Sequence, residues 1–194
     1  MADSADAGAT RRESILDAAV AVFRRYGFKK TSMDDLARAA KLSRQGLYLH
    51  FATKEELFKE ALLRLLAAMR ADCQAALARQ DVPVEARLFE AVQAIISYTV
   101  GAMAEQHTAE LFAASEQLLG PVLRDFETTF VADLARFFQT SGVMARWKGE
   151  GVSAKQLALQ LHATVHGLKY IGGSPAEIGD GIRLAIKMVC RTSR

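Results

Sequence analysis

The chain has 194 residues, of which 51% are hydrophobic and 24% are charged, with two cysteines and a formal net charge of +3. This composition excludes a disordered chain and a disulfide scaffold, and no apolar run approaches the roughly 20 residues of a membrane-spanning helix. Because residues 1–10 also lack the pattern of a secretory signal, we expect a cytoplasmic protein with no membrane partner, in which Cys73 and Cys190 are reduced thiols.

Helical periodicity recurs along the whole chain. In the N-terminal part, the spacing of apolar residues predicts helices over about 10–27, 33–40, 44–51 and 53–80. In the remainder it predicts helices over about 84–105, 108–118, 121–141, 153–173 and 175–191, with a surface loop at 142–151. Four residue pairs have the spacing of a capping box at a helix start: Thr10 and Glu13, Thr53 and Glu56, Ser153 and Gln156, Ser174 and Glu177. No alternating strand pattern is present, so we predict an all-α fold.

The two short helices, separated by about three residues, predict a helix-turn-helix at about 32–51. Thr31 or Ser32 is suited to cap the first helix, and Ser43 to cap the second. The helix pair has a small apolar core available to it, formed by Leu36, Ala37, Leu42 and Leu47. This arrangement leaves the first turn of the second helix exposed.

The positive charge of the chain is concentrated in this region. Residues 9–54 hold ten basic and four acidic side chains, a net charge of +6, whereas the 140 residues after them carry −1. Such an asymmetry indicates a polyanionic partner for the N-terminal segment. A solvated basic face would have the same charge, so charge alone leaves both interpretations open.

The exposed turn carries side chains suited to DNA. A second helix of this motif places its N-terminal residues against base edges in the major groove, where arginine pairs with guanine and glutamine with adenine. These positions hold Arg44, Gln45 and Gly46, the last of which lets the backbone approach a base. Side chains of the types that bind phosphates and set the register lie around them: Thr31, Ser32, Tyr48, His50 and Lys54.

The run GFKKTSMDDLARAAKLSRQGLYLHFATKEELF, within residues 10–60, resembles the signature of the tetracycline-repressor (TetR) family of transcriptional regulators. The resemblance implies a three-helix DNA-binding domain over residues 9–55, followed by a helical effector-binding and dimerisation domain over residues 56–194. It further implies a homodimer formed through about 153–191, and a repressor that a small apolar or aromatic effector releases from a palindromic operator. It carries the same base-contacting and phosphate-contacting roles onto Thr31, Ser32, Arg44–Gly46, Tyr48, His50 and Lys54.

The chain departs from the family pattern at two places. Where the family usually has glycine in the turn, this chain has Lys41, which would lose roughly 1 kcal/mol in a left-handed conformation and would add a cation for DNA. The usual glycine of the second helix is replaced by Gln45, with Gly46 following it. The preference for bases at these two positions is therefore expected to differ from the common one.

Aromatic, methionine and histidine side chains of the C-terminal body are candidates to line an effector pocket. The candidates are Tyr98, Met103, His107, Phe112, Phe130, His162 and His166. Such side chains also occur as plain core. The His162 and His166 spacing could chelate a metal, but no acid three residues from either supports a metal site, and packing is the preferred interpretation.

We expect no cofactor and no enzymatic activity, because no catalytic constellation is present. Two alternatives to a ligand-responsive repressor stay open. One is a constitutive DNA-binding regulator gated by protein contacts, and the other is a small-molecule enzyme on a helical scaffold.

Overall fold

The computed structural model describes residues 2–103, 108–171 and 174–190, with side chains from residue 10 onward except those of 97–103, 108, 169 and 170. Eight α-helices and one 3₁₀ turn lie in this part of the chain: α1 Ala2–Tyr26, α2 Met33–Ala39, α3 Arg44–Tyr48, α4 Lys54–Ala78, α5 Val84–Met103, α6 Thr108–Thr140, the 3₁₀ turn Val143–Trp147, α7 Ala154–Ile171 and α8 Pro175–Cys190. The described residues contain no strand. The predicted all-α fold is confirmed. None of the described helices is long and apolar enough to cross a bilayer.

Several of these helices begin with a side-chain cap. Reciprocal capping boxes are present at the starts of α7 and α8, formed by Ser153 with Gln156 and by Ser174 with Glu177, as predicted. At the start of α4, the Thr53 hydroxyl accepts from the Glu56 amide at 3.1 Å. The Glu56 carboxylate, however, accepts from the amide of Ala52, one residue before the predicted position, at 2.8 Å.

The largest differences from the predicted elements lie at helix ends. The first helix begins at Ala2, so Thr10 lies inside it and the predicted capping box there is wrong. Residues 2–9 include four alanines, the strongest helix former, which favour extension of the helix toward the N-terminus. The two helices predicted over 108–118 and 121–141 both lie within α6, and the predicted break between them is present as a kink at Leu119, whose backbone is not helical. The predicted loop at 142–151 contains the 3₁₀ turn.

The described residues fall into two compact units. The first contains the residues up to Ala68 and those between Gly101 and Leu123, and the second contains the others. This division by packing differs from the functional boundary predicted between residues 55 and 56, which stays a prediction. The core of the first unit is made by buried side chains of α1 to α4 with one residue of α6: Ile15, Leu16, Ala19, Val22, Phe23, Leu36, Ala37, Ala40, Leu47, Phe51, Leu57, Phe58, Ala61 and Ala114.

The second unit has its own apolar core, to which the remaining helices contribute. Its most deeply buried side chains include Leu88, Leu134, Phe138, Leu161, Ile182 and Ile186. Helices α7 and α8 pack closely at Gly181, where an added Cβ would lie 2.9 Å from Cδ2 of Leu168. A side chain at position 181 would therefore require the Leu168 side chain to shift.

Candidate nucleic-acid interface

The turn between α2 and α3 is closed by backbone hydrogen bonds. The Lys41 amide donates to the Arg38 carbonyl at 3.2 Å and the Leu42 amide to the Ala37 carbonyl at 2.9 Å. This pair of bonds forms a Schellman motif, which requires a left-handed residue after the helix and usually has glycine there. Lys41 occupies that position with φ 55°, so the predicted left-handed lysine is confirmed. The motif fixes the path of the chain from α2 into α3.

Helix α3 is five residues long, shorter than the predicted range of 44–51. The hydroxyl of Ser43 accepts from the amide of Gly46 at 3.0 Å, so Ser43 caps the helix as predicted. Leu47 is fully buried beneath it, whereas Arg44, Gln45 and Tyr48 are exposed. The cap and the buried leucine therefore fix which face of α3 is turned to solvent.

The exposed guanidinium of Arg44 has two neighbouring side chains. Its Nη1 lies 3.2 Å from Oδ2 of Asp34 in α2, and its Cζ lies 5.8 Å from the ring centroid of Tyr48, one turn along α3. An interaction with the Tyr48 side chain and the charge of Asp34 raise the pKa of Arg44. The guanidinium is therefore charged and held at the exposed end of α3.

Two residues predicted to contact phosphates have partners inside the first unit. The Thr31 side chain is only 2% exposed, and its hydroxyl donates to the Gly27 carbonyl at 2.6 Å. The Lys54 ammonium donates to the carbonyls of Phe28 and Thr31 at 2.9 and 3.0 Å, and lies 4.5 Å from the centroid of the Phe28 ring. The Thr31 hydroxyl thus closes the segment between α1 and α2 on itself, and Lys54 holds that segment against the start of α4.

The other predicted phosphate contacts lie nearer the surface. The exposed Ser32 forms a capping box with Asp35, and its hydrogen bonds lower the pKa of that carboxyl. Lys41 is exposed, and the partly buried His50 accepts a hydrogen bond at its carbonyl. These positions surround α3 in the chain, as the prediction requires.

A residue that the sequence did not single out joins α1 to the end of the motif. Arg12 donates to the His50 carbonyl at 2.7 Å and to the Glu60 carboxylate at 3.0 and 2.5 Å. Its guanidinium also lies 4.1 Å from the centroid of the Phe51 ring. Since these partners lie 38 to 48 positions away in the chain, no local pattern could have revealed this role.

The predicted pocket residues are only partly brought together. In the second unit, the His162 ring lies 5.9 Å from Phe130 and 5.8 Å from His166, measured between ring centroids. Phe112 belongs to the first unit and is 48% exposed. The side chains of Tyr98 and Met103, and the whole of His107, lie outside the described residues.

A small cavity does lie in the second unit, and Phe130 is the predicted residue at its wall. The lining residues are Arg70, Cys73, Ile95, Phe126, Phe130 and Asp133. Asp133 is buried and lies 3.5 Å from Arg70 and 3.2 Å from the amide nitrogen of Gln74. Burial, together with the charge of Asp133, raises the pKa of Cys73 to about 12.

The described residues contain no cluster of three or more metal-ligating side chains. In this part of the chain the His162 and His166 pair has no third ligand at hand. The His162 ring packs against Phe130.

Two packed helices, a closed turn and a capped helix with an exposed first turn define a helix-turn-helix domain. Residues 15–61 match the family model described as bacterial regulatory proteins, tetR family. The resemblance of residues 10–60 to the TetR family is thereby confirmed.

Known proteins resemble both the N-terminal segment and the fold. Over 53 residues, the chain is 40% identical to the "Probable acrEF/envCD operon repressor" of Escherichia coli (strain K12), covering 27% of this chain and 24% of that protein. A transcriptional regulator from Rhodococcus sp. Rha1 has the same fold, with a TM-score of 0.67 and 22% identity over 93% of this chain and 96% of the other. The protein in the SmeT–triclosan complex also has this fold, with a TM-score of 0.62 and 20% identity over 94% and 90% of the two chains.

The sequence likeness is concentrated in the helix-turn-helix region. The chain spans less than half of the length of three curated relatives that it matches. The likeness to the solved structures extends over nearly the whole chain but concerns the fold. Residues 15–61 thus match the family model, and the chain has the fold of these solved structures.

Proposed function

We propose that the protein is a sequence-specific DNA-binding regulator of transcription that reads its operator with α3. The observation that carries this proposal is the geometry of that helix. Ser43 caps its start and Leu47 anchors it in the core, while Arg44, Gln45 and Tyr48 are exposed on one short segment. This exposed end lies within the segment of net charge +6, as binding to a phosphate backbone requires.

Within that interface we assign base contacts to Arg44 and Gln45, whose side chains match guanine and adenine in the major groove. Gly46, which has no side chain, lets the backbone of α3 approach a base beside them. Ser32, Lys41, Ser43, Tyr48 and His50 are proposed to contact the backbone. The structure favours a different part for Thr31 and Lys54, which hold the segment before α2 in place.

We further propose that the protein acts as a homodimer through α7 and α8. Large apolar side chains are exposed on these two helices: Leu159 and Ile171 on α7, and Leu184 and Met188 on α8. An apolar surface of this kind favours a protein interface over solvent. Gly167 on α7 also has open space around it, since an added Cβ would meet nothing within 4 Å. Two recognition helices about 34 Å apart would then read a palindrome.

The proposed regulation is release of the operator by a small apolar or aromatic molecule bound in the second unit, which would make the protein a repressor. The likeness to the protein of the SmeT–triclosan complex supports this part of the proposal. An effector releases DNA only by the difference in its affinity for the two states. To move most of the protein from the DNA-binding state to the released state, this difference in binding free energy must be several kcal/mol.

The DNA-binding proposal is tested by selecting bound sequences from a random duplex pool and measuring affinity by fluorescence anisotropy over a series of salt concentrations. We expect a palindromic motif and an affinity that falls steeply as salt rises. The variant Arg44→Ala/Tyr48→Ala should lose most of the affinity for this motif.

A matched control exists on α1, where Arg25 lies 5.3 Å from the ring of the exposed Tyr26. Arg25→Ala/Tyr26→Ala removes the same two side-chain types from the same unit and should keep most of the affinity. Equal losses in the two double variants would contradict the proposed role of α3.

The effector proposal is tested separately by thermal denaturation with a panel of apolar and aromatic compounds, because a molecule that binds the folded state raises the melting temperature. A stabilising compound should also lower the affinity for the selected DNA. Stabilisation without any effect on DNA binding would argue for regulation by protein contacts instead.

A further inference from the structure

We propose that Asp34, an acid of α2, determines specificity by positioning the guanidinium of Arg44 for one base. This inference rests on the proposed DNA-binding function and concerns how the base-contacting side chain is held. It begins from the contact between Oδ2 of Asp34 and Nη1 of Arg44, at 3.2 Å.

Asp34 and Arg44 belong to two helices that are packed in a fixed arrangement. Asp34 is the second residue of α2 and Arg44 is the first residue of α3. The Schellman motif at Lys41 joins the two helices, and the fully buried Leu36 and Leu47 pack beneath them. The position of the Asp34 backbone relative to α3 is therefore set by the fold.

The contact leaves the base-pairing edge of Arg44 available. A guanidinium presents its donors in a planar fork, and Asp34 engages it at Nη1. The edge formed by Nε and Nη2 can still donate two parallel hydrogen bonds to O6 and N7 of guanine. With the Tyr48 ring also beside the group, the arginine is restrained before it meets DNA. Such restraint reduces the ordering cost of binding a matching base.

The neighbouring acid has a different task. Asp35 is engaged in the capping box with Ser32, through hydrogen bonds of 2.6 to 3.2 Å. Asp34 is not needed for that cap. Its carboxylate, about half exposed, faces the recognition helix. An acid beside a DNA interface weakens the attraction to phosphates, so its presence favours selectivity at the expense of general affinity.

The test uses the full chain and the motif selected by the wild-type protein. Affinity is measured for the selected duplex and for a set of duplexes that each change one base pair. Asp34→Ala is expected to lower discrimination at the one position read by Arg44 by about threefold to tenfold, a fraction of the value of a bidentate contact. Discrimination at the other positions should stay within about twofold, the size of a small surface effect. A ratio of affinities cancels any uniform gain from removing a negative charge.

Three comparisons separate positioning from charge. Asp34→Asn keeps an oxygen acceptor and should retain more discrimination than Asp34→Ala, although both remove the same charge. Asp17→Ala removes an acid of the same unit that pairs with Arg64 of α4, and should leave discrimination unchanged. In an Arg44→Ala background, Asp34→Ala should have no further effect on discrimination, as a double-mutant cycle requires for coupled residues.

The outcomes distinguish this inference from the proposed function. If the wild-type protein enriches no sequence from the pool, DNA recognition itself fails. If it enriches a motif, and Asp34→Ala and Asp34→Asn change the affinity for every duplex by one common factor, Asp34 acts through its charge alone and the positioning role is wrong. The positioning role is also wrong if Asp34→Ala still lowers discrimination in the Arg44→Ala background. Melting temperatures of all variants show whether each is folded under the assay conditions.

Discussion

Replacing Lys41 provides a direct measure of backbone strain in the turn between α2 and α3. Lys41 has φ 55° in a position that glycine usually occupies. Its side chain is exposed, and the backbone hydrogen bonds of the turn are made by main-chain atoms that any residue supplies. Lys41→Gly and Lys41→Ala therefore remove the same side chain, and differ in whether the left-handed conformation is strained.

The expected difference follows from two opposing terms. A left-handed conformation costs a residue with a Cβ about 1–2 kcal/mol, and this cost is absent in glycine. Glycine in turn loses about 0.5–1 kcal/mol more conformational entropy on folding. Lys41→Gly should therefore be more stable than Lys41→Ala by about 0.5–1 kcal/mol, which corresponds to roughly 1–4 °C in melting temperature for a chain of this size.

Urea denaturation followed by far-ultraviolet circular dichroism measures the difference. The matched control is Lys59, an exposed lysine inside α4, where glycine should be less stable than alanine by about 1 kcal/mol. The sign of the glycine–alanine difference should thus reverse between positions 41 and 59. If Lys41→Gly is no more stable than Lys41→Ala, the strain argument is refuted. Both variants lose the same cation, so a change in DNA affinity should be common to them.

Three further predictions follow from contacts of other residues. Lys54→Ala should lower the free energy of unfolding by about 2 kcal/mol, measured by urea denaturation, because two carbonyls lose a charged donor. Burial raises the pKa of both Cys73 and Cys190 to about 12, so both thiols are neutral at pH 8. They should resist a disulfide reagent in the native protein and react with it in urea. Rapid labelling of the native protein would contradict their burial. Leu184→Glu/Met188→Glu should shift the protein from dimer to monomer in analytical ultracentrifugation. If the variant is a dimer like the wild-type protein, the proposed interface is wrong.

Features that depend on neighbours in the sequence were predicted well. The caps at Ser43, Ser153 and Ser174 join residues three positions apart, and the left-handed conformation at Lys41 was indicated by the resemblance to a family that usually has glycine there. Their chemistry is complete within a few residues, so the pattern contains the information. The exposed positions of Arg44 and Gln45 follow in the same way, because the cap and Leu47 orient the helix.

Features that depend on distant partners were not predicted. Thr31 and Lys54 have residue types suited to phosphates, yet the packing of the segment after α1 against α4 gives them internal carbonyls as partners. Arg12 takes its role from partners up to 48 positions away. Residue type alone cannot decide between a solvent-facing donor and an internal one, because that choice is made by tertiary packing.

The same distinction explains how the N-terminal segment can present a positive surface although it contains four acids. Glu13 and Asp17 both lie within 3.3 Å of Arg64, a residue of α4 that is outside residues 9–54. Asp35 is engaged in the cap with Ser32, and Asp34 faces Arg44. An acid that already contacts a cation or a cap donor repels a phosphate less than an isolated one. Arg64, a cation that the count of +6 does not include, therefore offsets part of the charge of two of the acids, and the other two are engaged in α2 and its contact with α3. The cations of the segment can then attract DNA more strongly than the small net charge of the whole chain suggests.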